Sequence, residues 1–181
     1  MFLGAMLDLG VEFEALESEL QKLKLEGYTL SANRRQKCAI DGVKFDVHLA
    51  DGCQSDHSHS HGHEHSHSHD HSHEHSHGGD EGHGHSRNFA QISKMIHDSA
   101  LSDWVKEKSV AVFQRVANAE GKIHGMPPYE VHFHEVGAVD SIVDIVGGCI
   151  ALELLGKPRV RSGPVIEGAG FIMCAHGRFP I

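Results

Sequence analysis

The run VDSIVDIVGGCIALELL, Val139 to Leu155, is apolar nearly all round. Ile142, Val143, Ile145, Val146, Cys149, Ile150, Leu152, Leu154 and Leu155 leave no broad polar face at a period of 3.6, so a helix built from this run is buried on most sides. Gly147-Gly148 would let a neighbouring backbone approach closely, and Gly156-Lys157-Pro158 ends the helix. Such a helix is the middle of a domain, and the remaining sequence has to supply its cover.

Reading outward, that cover is mixed. Met1 to Leu9 reads as part of a buried helix stopping at Gly10. Phe13, Leu16, Leu20 and Leu23 form one stripe on an acidic helix that Gly27 closes. The period then changes to two. Val43, Phe45, Val47 and Leu49 face inward and Lys44, Asp46 and His48 outward, with Asp41-Gly42 as the turn of a hairpin. Asn88 or Ser86 caps a helix running through Ile96. Ser102 caps a longer one, with Val105, Val112, Val116, Ala119 and Ile123 on one face, joined by Phe113. That helix ends at His124-Gly125, where His124 is a capping residue. Arg159 to Arg161 and Val165 to Met173 read as short strands separated by Gly163-Pro164. The expected class is α+β: a helical layer on a small mixed sheet, with α/β as the alternative.

A long insertion divides this domain. Residues 1–53 form its first part and 88–181 its remainder, while 54–87 contain no apolar residue at all. A segment with nothing to bury cannot offset the entropy of ordering, so 54–87 is expected to be a disordered loop. It carries 13 of the 19 histidines. Eleven fall on alternate positions: His57, His59, His61, His63, His65, His67, His69, His71, His73, His75 and His77; His83 and His85 follow. Neutral imidazole is the commonest protein ligand for borderline divalent ions. Glu64, Asp70, Glu74, Asp80 and Glu81 add anionic oxygens, and the tract has no Lys or Arg before Arg87. A solvating linker would need only Ser, Gly and charge, so the tract reads as a metal binder. At three or four ligands per ion it would hold roughly three or four ions. Nitrogen sites favour copper and nickel over zinc, and composition alone does not choose among them.

Composition excludes other classes. Of 181 residues, 39% are hydrophobic, enough for one core once the tract is set aside. A net charge of −9 argues against nucleic acid as the main partner. Cys38, Cys53, Cys149 and Cys174 form no CxxC pair and read as reduced, in a cytoplasmic protein. No apolar run is long enough to span a bilayer, and Met1 to Gly10 lacks the basic start of a signal peptide. The chain begins without a cap and stops at Phe179-Pro180-Ile181 without a closing element, which reads as a portion truncated at both ends. There is no P-loop.

The second chemical signal is VHFHEVGAVDSIVD, Val131 to Asp144. If 131–135 are extended, His132 and His134 project to one face and can chelate one ion. Asp140 opens the buried helix, and Asp144 lies one turn on. A carboxylate beside an apolar core needs a partner, and a metal is one. The plainer readings are a surface histidine pair and an N-cap aspartate. Together with Glu135, the set His132, His134, Asp140 and Asp144 is the candidate core metal site. Cys174 and His176 form a weaker pair, equally readable as a buried thiol beside a satisfied histidine.

HFHEVGAVDSIVDIVG (His132 to Gly147), the acidic helix after MFLGAMLDLG, the internal histidine tract and CAHGR (Cys174 to Arg178) together resemble the nickel-insertion protein family of the lactate racemase cofactor pathway. The resemblance covers nearly all of the chain outside the tract. It implies delivery of Ni²⁺ to pyridinium-3,5-bisthiocarboxylic acid mononucleotide, forming the carbon–nickel and sulfur–nickel bonds of the nickel-pincer nucleotide. It further implies a nickel chelatase of the lyase class, driven by hydrolysis of CTP with Mg²⁺ or Mn²⁺. Family members start with a strand and a Gly/Ser loop ahead of Met1, and continue past Ile181 into a C-terminal half that binds CTP. That half is thus an expected partner, no catalytic or nucleotide-binding residue is assigned here, and an oligomer is compatible with the reading. The alternatives are a non-enzymatic His-rich nickel or zinc storage protein, with metal confined to the tract, and a degenerate fragment with no activity.

Overall fold

The computed structural model describes residues 2–50, 87–133, 136–166, 168–174 and 177–180. The insertion at 54–87, whose disorder is expected from composition, lies outside them except for Arg87. The order of elements is α1 (Phe2–Asp8), α2 (Phe13–Gln21), β1 (Tyr28–Lys37), β2 (Ile40–Leu49), α3 (Phe89–Asp98), α4 (Asp103–His124), a 3-10 turn (Pro128–Glu130), α5 (Val139–Leu154), β3 (Phe171–Cys174) and β4 (Gly177–Pro180). Among the described residues no helix is long and apolar enough to cross a membrane.

The all-round apolar helix is the hub. α5 buries Ile142, Val143, Val146, Cys149, Ile150 and Ala151 and packs against α1, α2, α4 and β2. Gly147 and Gly148 do admit close neighbours, but these are side chains, not the backbone expected. A Cβ on Gly147 would lie 3.2 Å from Leu3 Cδ1, and one on Gly148 3.3 Å from Phe2 Cε1. α2 presents Leu16 and Leu20 to the core, with Leu23 just beyond its end. It stops at Gln21, well before Gly27, because Lys24 turns to a left-handed φ of 53°.

The fold is α+β, as expected, and among the described residues the strands form two separate antiparallel pairs. β1 and β2 pair without a break from Tyr28↔Leu49 to Lys37↔Ile40. Leu30, Phe45 and Val47 pack on the core, and His48 faces out, its Nε2 2.8 Å from Ser31 Oγ. The turn is Cys38-Ala39 and not Asp41-Gly42, which lies within β2 opposite Gln36 and Arg35. Both turn residues take positive φ, 49° and 63°, the conformation that matches strand twist across a two-residue loop.

The helical caps are local chemistry and form as expected. Asn88 Oδ1 accepts from Gln91 N–H at 2.8 Å, while Gln91 Oε1 accepts from Asn88 N–H at 3.0 Å, a reciprocal capping box on α3. Ser102 Oγ accepts from Val105 N–H at 3.2 Å on α4. The buried line of α4 differs from the expected one. It is Val105, Ser109, Phe113, Ala117 and Gly121, whereas Val112 and Ile123 are exposed. Small residues on that line let α5 and the 3-10 turn come close: a Cβ on Gly121 would meet Met126 O at 2.7 Å. His124 Nε2 sits 3.3 Å from Glu120 Oε2 in the last turn.

Beyond α5 the expected strands at Arg159–Arg161 and from Val165 are not formed; 157–166 hold no regular structure. Only the end of that stretch is a strand, β3, paired with β4 from Phe171↔Pro180 to Cys174↔Gly177.

Candidate metal-handling site

The capping box fixes the chain where it returns from the histidine tract, and the HFHEVG stretch is laid against that point. Asn88 and His132 pair as an isolated antiparallel bridge, and Phe89 N–H donates to Val131 O at 3.4 Å. Five residues beyond His132, a Cβ on Gly137 would lie 2.6 Å from Arg87 O and 2.8 Å from Arg87 N. Residues 131–133 alternate as an extended segment should: Val131 and Phe133 are 0% and 1% exposed, and His132 is exposed between them. Phe133 is held against α4 by Phe113, with ring centroids 6.1 Å apart. The fold thus presents His132 outward at the root of the tract. His134 and Glu135, the other members of the run, lie outside the described residues, as do the thirteen tract histidines and His176.

The aspartates sit where α5 begins, but Asp140 is not the cap. Ala138 holds that position without a side-chain bond, and Asp140 is the second helical residue. Its Oδ1 instead accepts from Ser141 N–H at 2.8 Å. A carboxylate in the first turn is still favoured by the helix dipole. One turn on, Asp144 makes no hydrogen bond or ion pair among the described residues. Burial pushes its pKa up, the positive charge of the chain's N-terminus opposes this, and the negative charge of Asp140 adds the smallest contribution to the rise. Its residue surface is nonetheless largely open to solvent. A divalent cation would relieve both upward effects. Among the described residues, however, no three His, Cys, Asp or Glu side chains come together to hold a metal. His132, Asp140 and Asp144 alone are therefore not a metal centre.

The cysteines add nothing here. Cys149 is buried in α5, where burial pushes the thiol up against the weaker opposing pull of Ser109 and Lys108. A thiol buried in this way packs as a small apolar side chain. The Cys174 backbone belongs to β3, but its side chain is outside the described residues.

The docking of Gly137 and His132 onto Arg87 and Asn88 was not visible in the sequence. The only hint was a glycine close after the HxH pair.

A family model described as nickel insertion protein matches residues 1–181. The chain belongs to the nickel insertion protein family. It is similar to the pyridinium-3,5-bisthiocarboxylic acid mononucleotide nickel insertion protein of Lactiplantibacillus plantarum, with 48% identity over all of this chain and 40% of that protein. Proteins of the same name from Alkaliphilus metalliredigens and Geobacillus kaustophilus are 42% and 41% identical, again over the whole of this chain, which covers 40% and 39% of them. This member thus spans about two-fifths of the length of the curated relatives it matches. No solved structure matches it.

Proposed function

We propose that this chain is the nickel-gathering portion of a nickel chelatase. The tract collects Ni²⁺, and the 131–144 region presents it for insertion into pyridinium-3,5-bisthiocarboxylic acid mononucleotide. The observation that carries this reading is the pairing of Asn88 with His132. It sets a candidate imidazole at the place where the tract rejoins the body, and it stands beside the names of the relatives.

The chemistry favours such a relay. Many weak, exchanging imidazoles raise the local concentration of a scarce ion beside the body, as linked sites do. Exposed His132, with His134, would hold the ion more firmly than the tract does, with Asp140 or Asp144 as a further ligand. The substrate's two sulfurs and ring carbon are softer donors than imidazole or carboxylate, and the ring carbon would take up nickel as its proton leaves. The resemblance assigns CTP, with Mg²⁺ or Mn²⁺, to the C-terminal portion of a cytoplasmic full-length protein, and no residue described here is given a role toward it.

The test is the double substitution His132→Ala and His134→Ala in the full-length protein. Nickel bound by the tract should be retained, while cofactor maturation slows strongly at limiting nickel. An unchanged maturation rate would remove 131–144 from the path and return the chain to a storage or buffering role.

A further inference from the structure

The body's core closes before the chain described here ends. Among the described residues, no apolar side chain beyond Leu155 belongs to the core or packs against it. Yet Val160, Val165, Ile166, Phe171, Ile172 and Met173 are exposed apolar side chains, Ile166 at 91% and Met173 at 75%. The β3–β4 hairpin pairs with no other described strand. A lone two-stranded hairpin is marginal in water, and apolar residues exposed in series mark an interaction surface. This strip also differs in charge from the rest of the chain. Residues 157–181 hold four of the 16 Lys and Arg residues but one of the 25 acidic ones. Arg178 stacks on the ring of Phe171 at 4.0 Å, which stiffens the hairpin while leaving the strand edges open.

We propose that residues 159–178 are a docking arm for the portion of the family protein that this chain does not span. The relatives match all of this chain over about two-fifths of their length, so the larger part of each is available as the occupant. The arm specifies that occupant's chemistry: an apolar surface with an acidic rim, able to add a strand to the β3 or β4 edge. This assignment does not rest on the nickel reading and stands or falls apart from it.

The experiment is site-specific photo-crosslinking in a full-length family member. Benzoylphenylalanine replaces, one at a time, the residues aligned with Ile166 and Met173, and crosslinked peptides are identified by mass spectrometry. Crosslinks from both positions to the portion beyond residue 181 are expected. Hydrogen exchange should show the arm's amides protected there and unprotected in the 181-residue protein. Crosslinks to a second copy, crosslinks back to residues 2–155, or no crosslinks with rapid exchange in the full-length protein would each overturn the proposal.

Discussion

Gly137 and Arg87 meet backbone to backbone, with room for no side chain between them. Replacing Gly137 by Ala would put a Cβ 2.6 Å from Arg87 O and 2.9 Å from Phe133 O. Neither neighbour is a flexible side-chain end, so the chain itself has to shift. Overpacking of this kind costs about 1–3 kcal/mol. For a chain of this size each kcal/mol lowers Tm by about 2–4 °C. Gly137→Ala should therefore lower Tm measurably in a thermal scan, whereas Gly42→Ala, with open space around it, should not.

The hairpin turn is strained in a way that can be relieved. Cys38 and Ala39 both sit at left-handed φ, where an L residue with a Cβ costs about 1–2 kcal/mol. Changing the pair to Asn-Gly fits the same geometry with less strain. The variant should gain about 1 kcal/mol in urea denaturation without a change in slope. An unchanged midpoint would mean that the turn has another conformation in solution.

Glu153 ties the start of α4 to the end of α5. Ser102 Oγ donates to Glu153 Oε2 at 2.7 Å, and Lys157 Nζ lies 3.0 Å from Glu153 Oε1. Burial pushes the carboxyl up, but Ser102 and Lys157 together bring it below its ordinary 4.5. A depressed folded-state pKa gives stability that is present above the unfolded value and lost as pH falls through the folded one. Glu153→Gln should thus be less stable than the parent at neutral pH. The difference should shrink as pH drops below about 4.5 and vanish once the parent's carboxyl is protonated too. Paired melting curves across that range measure it.

Removing residues 57–85 should leave a folded protein, because the core and both anchoring strands and helices lie outside the tract. Circular dichroism and Tm should stay near the parent's. Nickel stoichiometry by equilibrium dialysis should fall by roughly three or four ions per chain at three or four ligands each. In the parent, that binding should weaken as pH falls below about 6.5, where protons compete for imidazole. Loss of folding on deletion would show that the tract is part of the structure.

The features that could be read in advance are the ones set by neighbours in the chain. α5 declared itself because no face of it is polar. Asn88 and Ser102 declared themselves because capping involves residues two or three apart. The buried face of α4 was misread because polarity and size disagree there. Val112 and Ile123 look like core, but the close approach of α5 and the 3-10 turn requires Ser109, Ala117 and Gly121. The turn at Cys38-Ala39 was missed because facing of Phe45 and Val47 decides the register, and a favourable Asp-Gly pair one step along cannot outvote it. At the site, His132 was legible from the HxH pattern and Asp144 from its place one turn after Asp140. The placing of His132 beside Asn88 and of Gly137 against Arg87 joins segments more than forty residues apart, and no periodicity encodes it.

The unbroken ladder of β1 and β2 has one further effect. Slipping it by a single residue would turn Asp46 and His48 toward the interior and expel Phe45 and Val47. The hairpin therefore works as a gauge of fixed length, indifferent to its own tip but exact at its base. Whatever sequence is attached after Leu49, and however many histidines it contains, sets out from a point that the gauge has already measured.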